Sequence, residues 1–165
     1  MNDNPHLDSQ ASRRTFLKSA VAGSLAIPAV HAAGAGIIRV GVIGCGGRGE
    51  AAAMNAMNAG PDVHIVAMGD ILLDRVQEKR TALKLKYRDQ VDVPDSNCFA
   101  GFDAYKRVIE ASDVVIVANA AKFHPFHAKS AIEAGRHVFL EKPHAIDPVG
   151  IQRLRQAADL ARQKA

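Results

Sequence analysis

The stretch Ile37-Ile38-Arg39-Val40-Gly41-Val42-Ile43-Gly44-Cys45-Gly46-Gly47-Arg48-Gly49 decides the fold. Its first seven residues are mostly apolar and β-branched, too short for a helix and closed by glycines, as a strand covered on both faces should read. Residues 44–49 then read Gly-x-Gly-x-x-Gly, and residues 50–59 are small, strong helix formers. Strand, glycine turn and helix in that order form the context in which this pattern cradles a dinucleotide. Gly44 allows the tight turn, Gly46 lets a pyrophosphate approach the backbone, and Gly49 lets the helix lie close on the strand. The helix start offers unpaired N–H groups and a partial positive charge to the phosphates. The plainer alternative is a glycine-rich turn that holds no ligand. Cys45 reads as a small filler of that turn, since no base stands beside it.

Downstream of this turn, Gly60-Pro61 ends the first helix and residues 63–68 form a second apolar run. Asp70 comes next, 21 residues beyond Gly49, where an acid is expected to bind ribose hydroxyls. It favours NAD over NADP, because a 2′-phosphate would meet a carboxylate unless Arg75 or Lys79 turns inward. Its alternative role is a helix cap before Leu72. Residues 72–87 read as a surface helix with Leu72, Val76, Leu83 and Tyr87 on one face. A short strand is expected near Cys98-Phe99, then a helix capped by Asp103. Residues 114–118 are the clearest buried strand, residues 124–134 a helix stopped by Gly135, and residues 136–141 a further strand. Asp147-Pro148 supplies an N-cap and a first-turn proline for a last helix with Ile151, Leu154, Ala158 and Ala161 on one side. Strands separated by helices imply parallel pairing through right-handed crossovers, hence an α/β fold with a doubly wound parallel (Rossmann) sheet.

Before this domain, residues 1–35 read as an address. Ser12-Arg13-Arg14-Thr15-Phe16-Leu17-Lys18 matches the twin-arginine export signal, with an apolar run, residues 20–33, directly after it. The run is interrupted by Gly23, Pro28 and His31 and is shorter than the roughly 20 residues of a membrane span, so no stable membrane anchor is expected. Cleavage after Ala32 or after Ala35 fits loosely. The expected partner is the twin-arginine export machinery, and the expected location is the periplasm or outside the cell. Three basic and two acidic residues leave with the signal, lowering the formal charge from +4 to +3. No basic run or interleaved aromatics remain, so nucleic acid is a poor candidate partner. At 165 residues, with 48% hydrophobic and 23% charged residues, the chain has room for one packed domain and too little for two. Two cysteines allow at most one bridge.

Residues 42–49, Asp70, His124, residues 131–138 and above all Glu141-Lys142-Pro143 together resemble the glucose-fructose oxidoreductase and inositol dehydrogenase family (Gfo/Idh/MocA), a likeness spanning about residues 37–165. The resemblance implies that Lys142 stands at the nicotinamide and substrate and that His124 lines the cofactor pocket. It implies cofactor contacts from Gly44, Gly46, Gly47, Arg48, Gly49, Asp70, Asn119, His124, Glu141 and Lys142. Where the family usually has Thr-Pro after the fourth strand, this chain has Asn119-Ala120. A Lys142 ammonium beside a substrate hydroxyl would stabilise the developing alkoxide, and burial would ease proton transfer. A solvated lysine is the alternative. Glu141 is expected to pair with Lys142 or touch the cofactor, and Pro143 to hold the turn, with a cis bond one way of doing so. His144 faces either substrate or solvent. His124 and His127 lack a third ligand, so a metal pair is not expected.

The family resemblance also implies a second α/β domain carrying the substrate pocket. None of it is in these residues, and the chain is read as stopping before a sixth strand, which would leave the fifth strand's edge unpaired. The expectation is an exported NAD-dependent oxidoreductase acting by hydride transfer on a sugar, polyol or related hydroxylated substrate, present as its nucleotide-binding portion. A homo-oligomer of the full-length protein is a possible assembly. Two alternatives stand beside it: an NAD-dependent glycosidase of the α-N-acetylgalactosaminidase type, and a nucleotide-binding fragment without turnover.

Overall fold

The computed structural model describes residues 36–164. The expected export signal falls outside the described residues. Among the described residues five strands alternate with five α-helices: β1 (Ile38–Ile43), α1 (Gly47–Met57), β2 (Val63–Asp70), α2 (Leu73–Lys86) and β3 (Cys98–Ala100) come first. They are followed by α3 (Ala104–Ala111), β4 (Val114–Val117), α4 (His124–Glu133), β5 (His137–Leu140) and α5 (Pro148–Lys164). The sheet is wholly parallel with the order β3-β2-β1-β4-β5. The order reverses direction between β1 and β4, and at such a switch point the ends of the strands open a crevice.

Strand alternation divides the core between the two faces. Val40, Val42, Ile65, Met68 and Ile116 pack with Ala52, Ala53 and Met57 of α1 and with Val76 and Leu83 of α2. On the other face Ile43, Ala67, Val115 and Val117 pack with Tyr105, Val108 and Ile109 of α3 and Ala131 of α4. Because both faces are covered, β4 is apolar at every position, which makes it so plain in the sequence.

Some boundaries and faces differ from the sequence reading. Helix α1 begins at Gly47, inside the glycine motif, since Gly46 serves as its N-cap. Strand β2 runs on to Asp70, and Leu72 is exposed rather than part of the α2 face. Asp103 stands at the N-cap of α3 but makes no side-chain cap bond, and its carboxylate pairs with Lys106 at 2.8 Å. Asp147 does cap α5, accepting the Gly150 N–H at 2.6 Å. The buried side of α5 is set by α4, against which it packs, so Gly150 and Ala157 are buried while Ile151 and Ala158 are exposed. A Cβ on Gly150 would lie 2.9 Å from Ala145 Cβ and 3.1 Å from Pro125 Cγ. At the far end of α5, Lys164 Nζ donates to the carbonyls of Ile132 and Glu133 at 3.1 and 2.8 Å. β5 lies at the sheet edge with Phe139 exposed.

Candidate functional site

The glycine turn at the end of β1 is shaped by absent side chains. Gly44 has φ +96°, and a Cβ there would stand 2.5 Å from Asn119 N. A Cβ on Gly49 would lie 1.8 Å from the Gly44 carbonyl oxygen, so α1 sits on the turn at a distance only glycine permits. Beyond Gly46 and Gly47 the space is open. The first α1 bond runs from Glu50 N–H to Gly46 O at 3.0 Å, and Gly46 contributes no side-chain cap. The amides of Gly47, Arg48 and Gly49 are therefore those a helix start leaves for an anion.

Asp70, at the end of neighbouring β2, braces this turn. Its Oδ2 accepts the Cys45 N–H at 2.8 Å, and its Oδ1 accepts the Leu72 N–H at 3.3 Å and lies 3.7 Å from Arg75 Nη1. One carboxylate thus makes both the helix-entry contact and the contact to the glycine turn. Of the two cations in question, Arg75 turns inward, whereas Lys79 is held by Glu50 at 3.0 Å and Glu78 at 3.2 Å. Cys45 is fully buried, and burial first, then the Asp70 charge, pushes its thiol up to about 12, which agrees with a filler and excludes a thiolate at neutral pH.

Glu141 is buried, and its partner is Arg48 rather than the Lys142 ammonium. Its carboxylate accepts from the Arg48 guanidinium and, at 3.2 Å, from the Lys142 backbone N–H. The Arg48 hydrogen bond holds the Glu141 carboxyl below the usual carboxylate range. Lys142 itself is exposed, so the burial expected of it is not supplied by the described residues. The Lys142–Pro143 bond is cis.

His124 stands elsewhere than the resemblance implies. His124 is 1% exposed and does not line the cleft; its Nδ1 meets the Pro143 carbonyl and its Nε2 the Asn119 carbonyl, both at 2.9 Å. His127, one helical turn on, forms part of the cleft wall. Asn119 Nδ2 donates to His127 Nδ1 at 3.1 Å. The His127 ring stacks on Tyr105 (4.4 Å, 19°) and on Phe123 (5.8 Å, 9°). Burial, then the neighbouring His124, pushes His127 down to about 4, leaving it neutral at physiological pH.

These elements surround a cleft of about 730 Å³ at the β1/β4 switch point. Of the residues expected at the cofactor, Gly44, Gly46, Asp70 and Asn119 line it, and Gly47, Arg48, Gly49, Glu141 and Lys142 stand outside its lining. Unforeseen in the sequence is its aromatic wall. Of the chain's six phenylalanines and two tyrosines, Phe102, Phe123, Phe126 and Tyr105 stand there. Phe123-His124-Pro125-Phe126-His127 is the available signal, an aromatic density unusual for this chain. The cleft suits a nicotinamide dinucleotide: its volume lies within the roughly 300 to 1,000 Å³ of cofactor sites, and it joins open amides to an acid and an apolar wall. Asn119 Oδ1 in that wall is buried without a hydrogen-bond partner among the described residues.

Residues 38–164 match the model of the Gfo/Idh/MocA family, described as an oxidoreductase family with an NAD-binding Rossmann fold. Glycosyl hydrolase family 109 protein 1 of Bacteroides fragilis is 33% identical over 113 residues, covering 67% of this chain and 23% of that protein. Inositol 2-dehydrogenase of Acidothermus cellulolyticus is 32% identical over 120 residues, covering 73% of this chain and 32% of that protein. Among solved structures, KijD10, a 3-ketoreductase from Actinomadura kijaniata in complex with NADP, superposes with a TM-score of 0.58 at 27% identity, covering 78% of this chain and 36% of that one. The WlbA dehydrogenase from Bordetella pertussis, in complex with NADH and UDP-GlcNAcA, shares the fold at 21% identity and a TM-score of 0.56, covering 78% of this chain and 35% of that one. The chain thus spans between 23% and 36% of the length of these proteins.

Proposed function

The chain belongs to the Gfo/Idh/MocA oxidoreductase family, and from that premise we propose that it is the cofactor-binding portion of an exported, NAD-dependent oxidoreductase of sugars, polyols or related hydroxylated compounds. The observation that carries the reading is the glycine turn opening onto the cleft with Asp70 bonded to the Cys45 amide beside it. In this proposal the amides of Gly47, Arg48 and Gly49 bind the diphosphate and Asp70 accepts from the adenosine ribose hydroxyls. The nicotinamide, when bound, supplies the acceptor or donor of hydride. Lys142 then meets the substrate oxygen, stabilises its developing negative charge and moves a proton at that atom. Asp70 supports NAD as the preferred coenzyme, while Arg75 beside it offers a cation that would soften the repulsion of a 2′-phosphate.

Export rests on Ser12-Arg13-Arg14-Thr15-Phe16-Leu17-Lys18: a pathway that carries folded cargo would let the cofactor load in the cytoplasm before passage to the periplasm. Changing Arg13 and Arg14 together to Lys should abolish export of the chain; unchanged export sinks that part of the reading. The glycosidase alternative draws on the likeness to glycosyl hydrolase family 109 proteins. Calorimetric titration of the chain with NAD and NADP tests the core of the proposal, with binding of NAD the tighter expected. Heat with neither coenzyme overturns it, and tighter NADP binding overturns the preference. Net NADH formation by the full-length protein supports the dehydrogenase, and hydrolysis of a glycoside without net NADH supports the alternative.

A further inference from the structure

His124 occupies the first position of α4, yet its ring is directed into the protein and away from the cleft. Both ring nitrogens lie 2.9 Å from backbone carbonyls, those of Pro143 and Asn119. A carbonyl oxygen only accepts, so the imidazole is the donor in either contact; a ring with one hydrogen serves one carbonyl, and a ring with two serves both. The carbonyls belong to loops that follow different strands, Asn119 after β4 and Pro143 after β5. Asn119 in turn has its backbone against Gly44 of the nucleotide turn, where a Cβ would come within 2.5 Å. One buried ring therefore spans from the wall of the nucleotide turn to the residue immediately after Lys142.

The contacts that fix Lys142 lie in its backbone. Its N–H donates to Glu141 Oε2 at 3.2 Å, and Glu141 is paired with Arg48 of α1. On the other side the next residue's carbonyl lies 2.9 Å from His124 Nδ1. The side chain is exposed, so the place of its ammonium is set by how firmly these flanking peptides are held.

We infer that His124 is a positioning residue, fastening the Lys142-Pro143 turn to the end of β4 and thereby setting where the Lys142 ammonium stands relative to a bound nicotinamide. The inference rests on the proposed role of Lys142. A histidine that merely fills the core would loosen the whole domain when replaced; a positioning residue loosens one turn and spares the coenzyme's own anchors, which lie at Gly44–Gly49 and Asp70.

The full chain with His124→Phe, which keeps a ring but removes both ring nitrogens, is compared with wild type and with His124→Gln, which retains an amide donor. Backbone amide exchange is followed by mass spectrometry, NAD affinity by calorimetry, and acylation of Lys142 by sulfosuccinimidyl acetate with and without NAD. At NAD about tenfold above its Kd, wild-type Lys142 should be protected about tenfold. In His124→Phe that protection should vanish and exchange over residues 141–146 rise about tenfold, with NAD affinity within about threefold of wild type. His124→Gln should fall between the two. If His124→Phe does not fold, His124→Gln carries the test, since its one nitrogen cannot occupy both ring-nitrogen positions, and an exchange rise of about threefold in that turn is expected. Unchanged exchange and protection in the variant, or exchange raised equally throughout the domain, overturns the inference. Binding of NAD to wild type without protection of Lys142 overturns the proposed role of Lys142 and this inference with it, while leaving the nucleotide site standing.

Discussion

The glycine turn after β1 and the Glu141-Lys142-Pro143 turn after β5 are both short loops at one end of the same sheet, but they are built on opposite plans. The first takes its shape from missing side chains and from one acid on the adjacent strand: Gly44 at φ +96°, Gly49 against the Gly44 carbonyl, Asp70 on the Cys45 amide. The second is held by side chains distant in the chain, Arg48 on Glu141 and His124 on the Pro143 carbonyl. A phosphate cradle needs bare backbone, and bare backbone has its own sequence signature. A turn proposed to present one reactive amine needs braces, and braces come from wherever the fold places them.

The contrast is broken most severely at Gly49. Gly49→Ala puts a methyl 1.8 Å from a backbone oxygen that cannot yield without moving β1 or α1. Loss of more than about 3 kcal/mol in a denaturant titration is expected, together with loss of NAD binding. A fully stable variant would show that the close approach is not needed.

Acid tests the aromatic wall between the two turns. His127, pushed down to about 4 by burial, stays neutral in the folded state while the unfolded chain takes up a proton below its ordinary value near 6.5. Stability should therefore be flat above pH 7 and fall as the pH drops from about 6.5 to about 4, by on the order of 3 kcal/mol. His127→Phe should remove that component, and an unaltered slope in the variant would show that other groups carry it.

Asp70→Ala probes the acid side of the nucleotide turn. Losing the Cys45 contact and the expected ribose contact should weaken NAD binding by about 2 kcal/mol, some thirtyfold, with a smaller loss for NADP. An equal loss for both coenzymes would mean that Asp70 acts only as a brace.

Arg48→Ala probes the second turn and should have the smallest effect. Arg48 is 61% exposed, so the pair is partly screened and its loss should cost about 1 kcal/mol at pH 7. Since Arg48 depresses the Glu141 carboxyl, that stabilisation is present above the ordinary carboxylate range and is lost as pH falls through the depressed value. Wild type and variant should converge in acid; a constant gap at every pH would assign the effect to lost packing.

The same contrast explains what is legible in the sequence. Apolar β-branched runs between glycines locate the strands, and the glycine spacing locates the turn that opens α1, because both signals are local. The partners of Glu141 are not legible: Arg48 lies 93 residues earlier, and no spacing rule links them. His124 and His127 are interchangeable on paper, three residues apart on one helix start. What separates them is whether a ring meets the carbonyls of Asn119 and Pro143 or the rings of Tyr105 and Phe123. The exposed side of α5 escapes a sequence reading for a related reason, since its stripe is selected by α4 and not by the sheet.

That last helix also acts as a splint. Gly150 wedges its start against Pro125, and Lys164 grips the carbonyls at the far end of α4, so α4 is clamped at both extremities by one rigid rod. Sliding α4 along its axis would have to unseat one clamp or the other, and both histidines ride on its opening turn. A displacement of α5 would thus be transmitted to α4 at both ends, and one of those ends carries the two histidines.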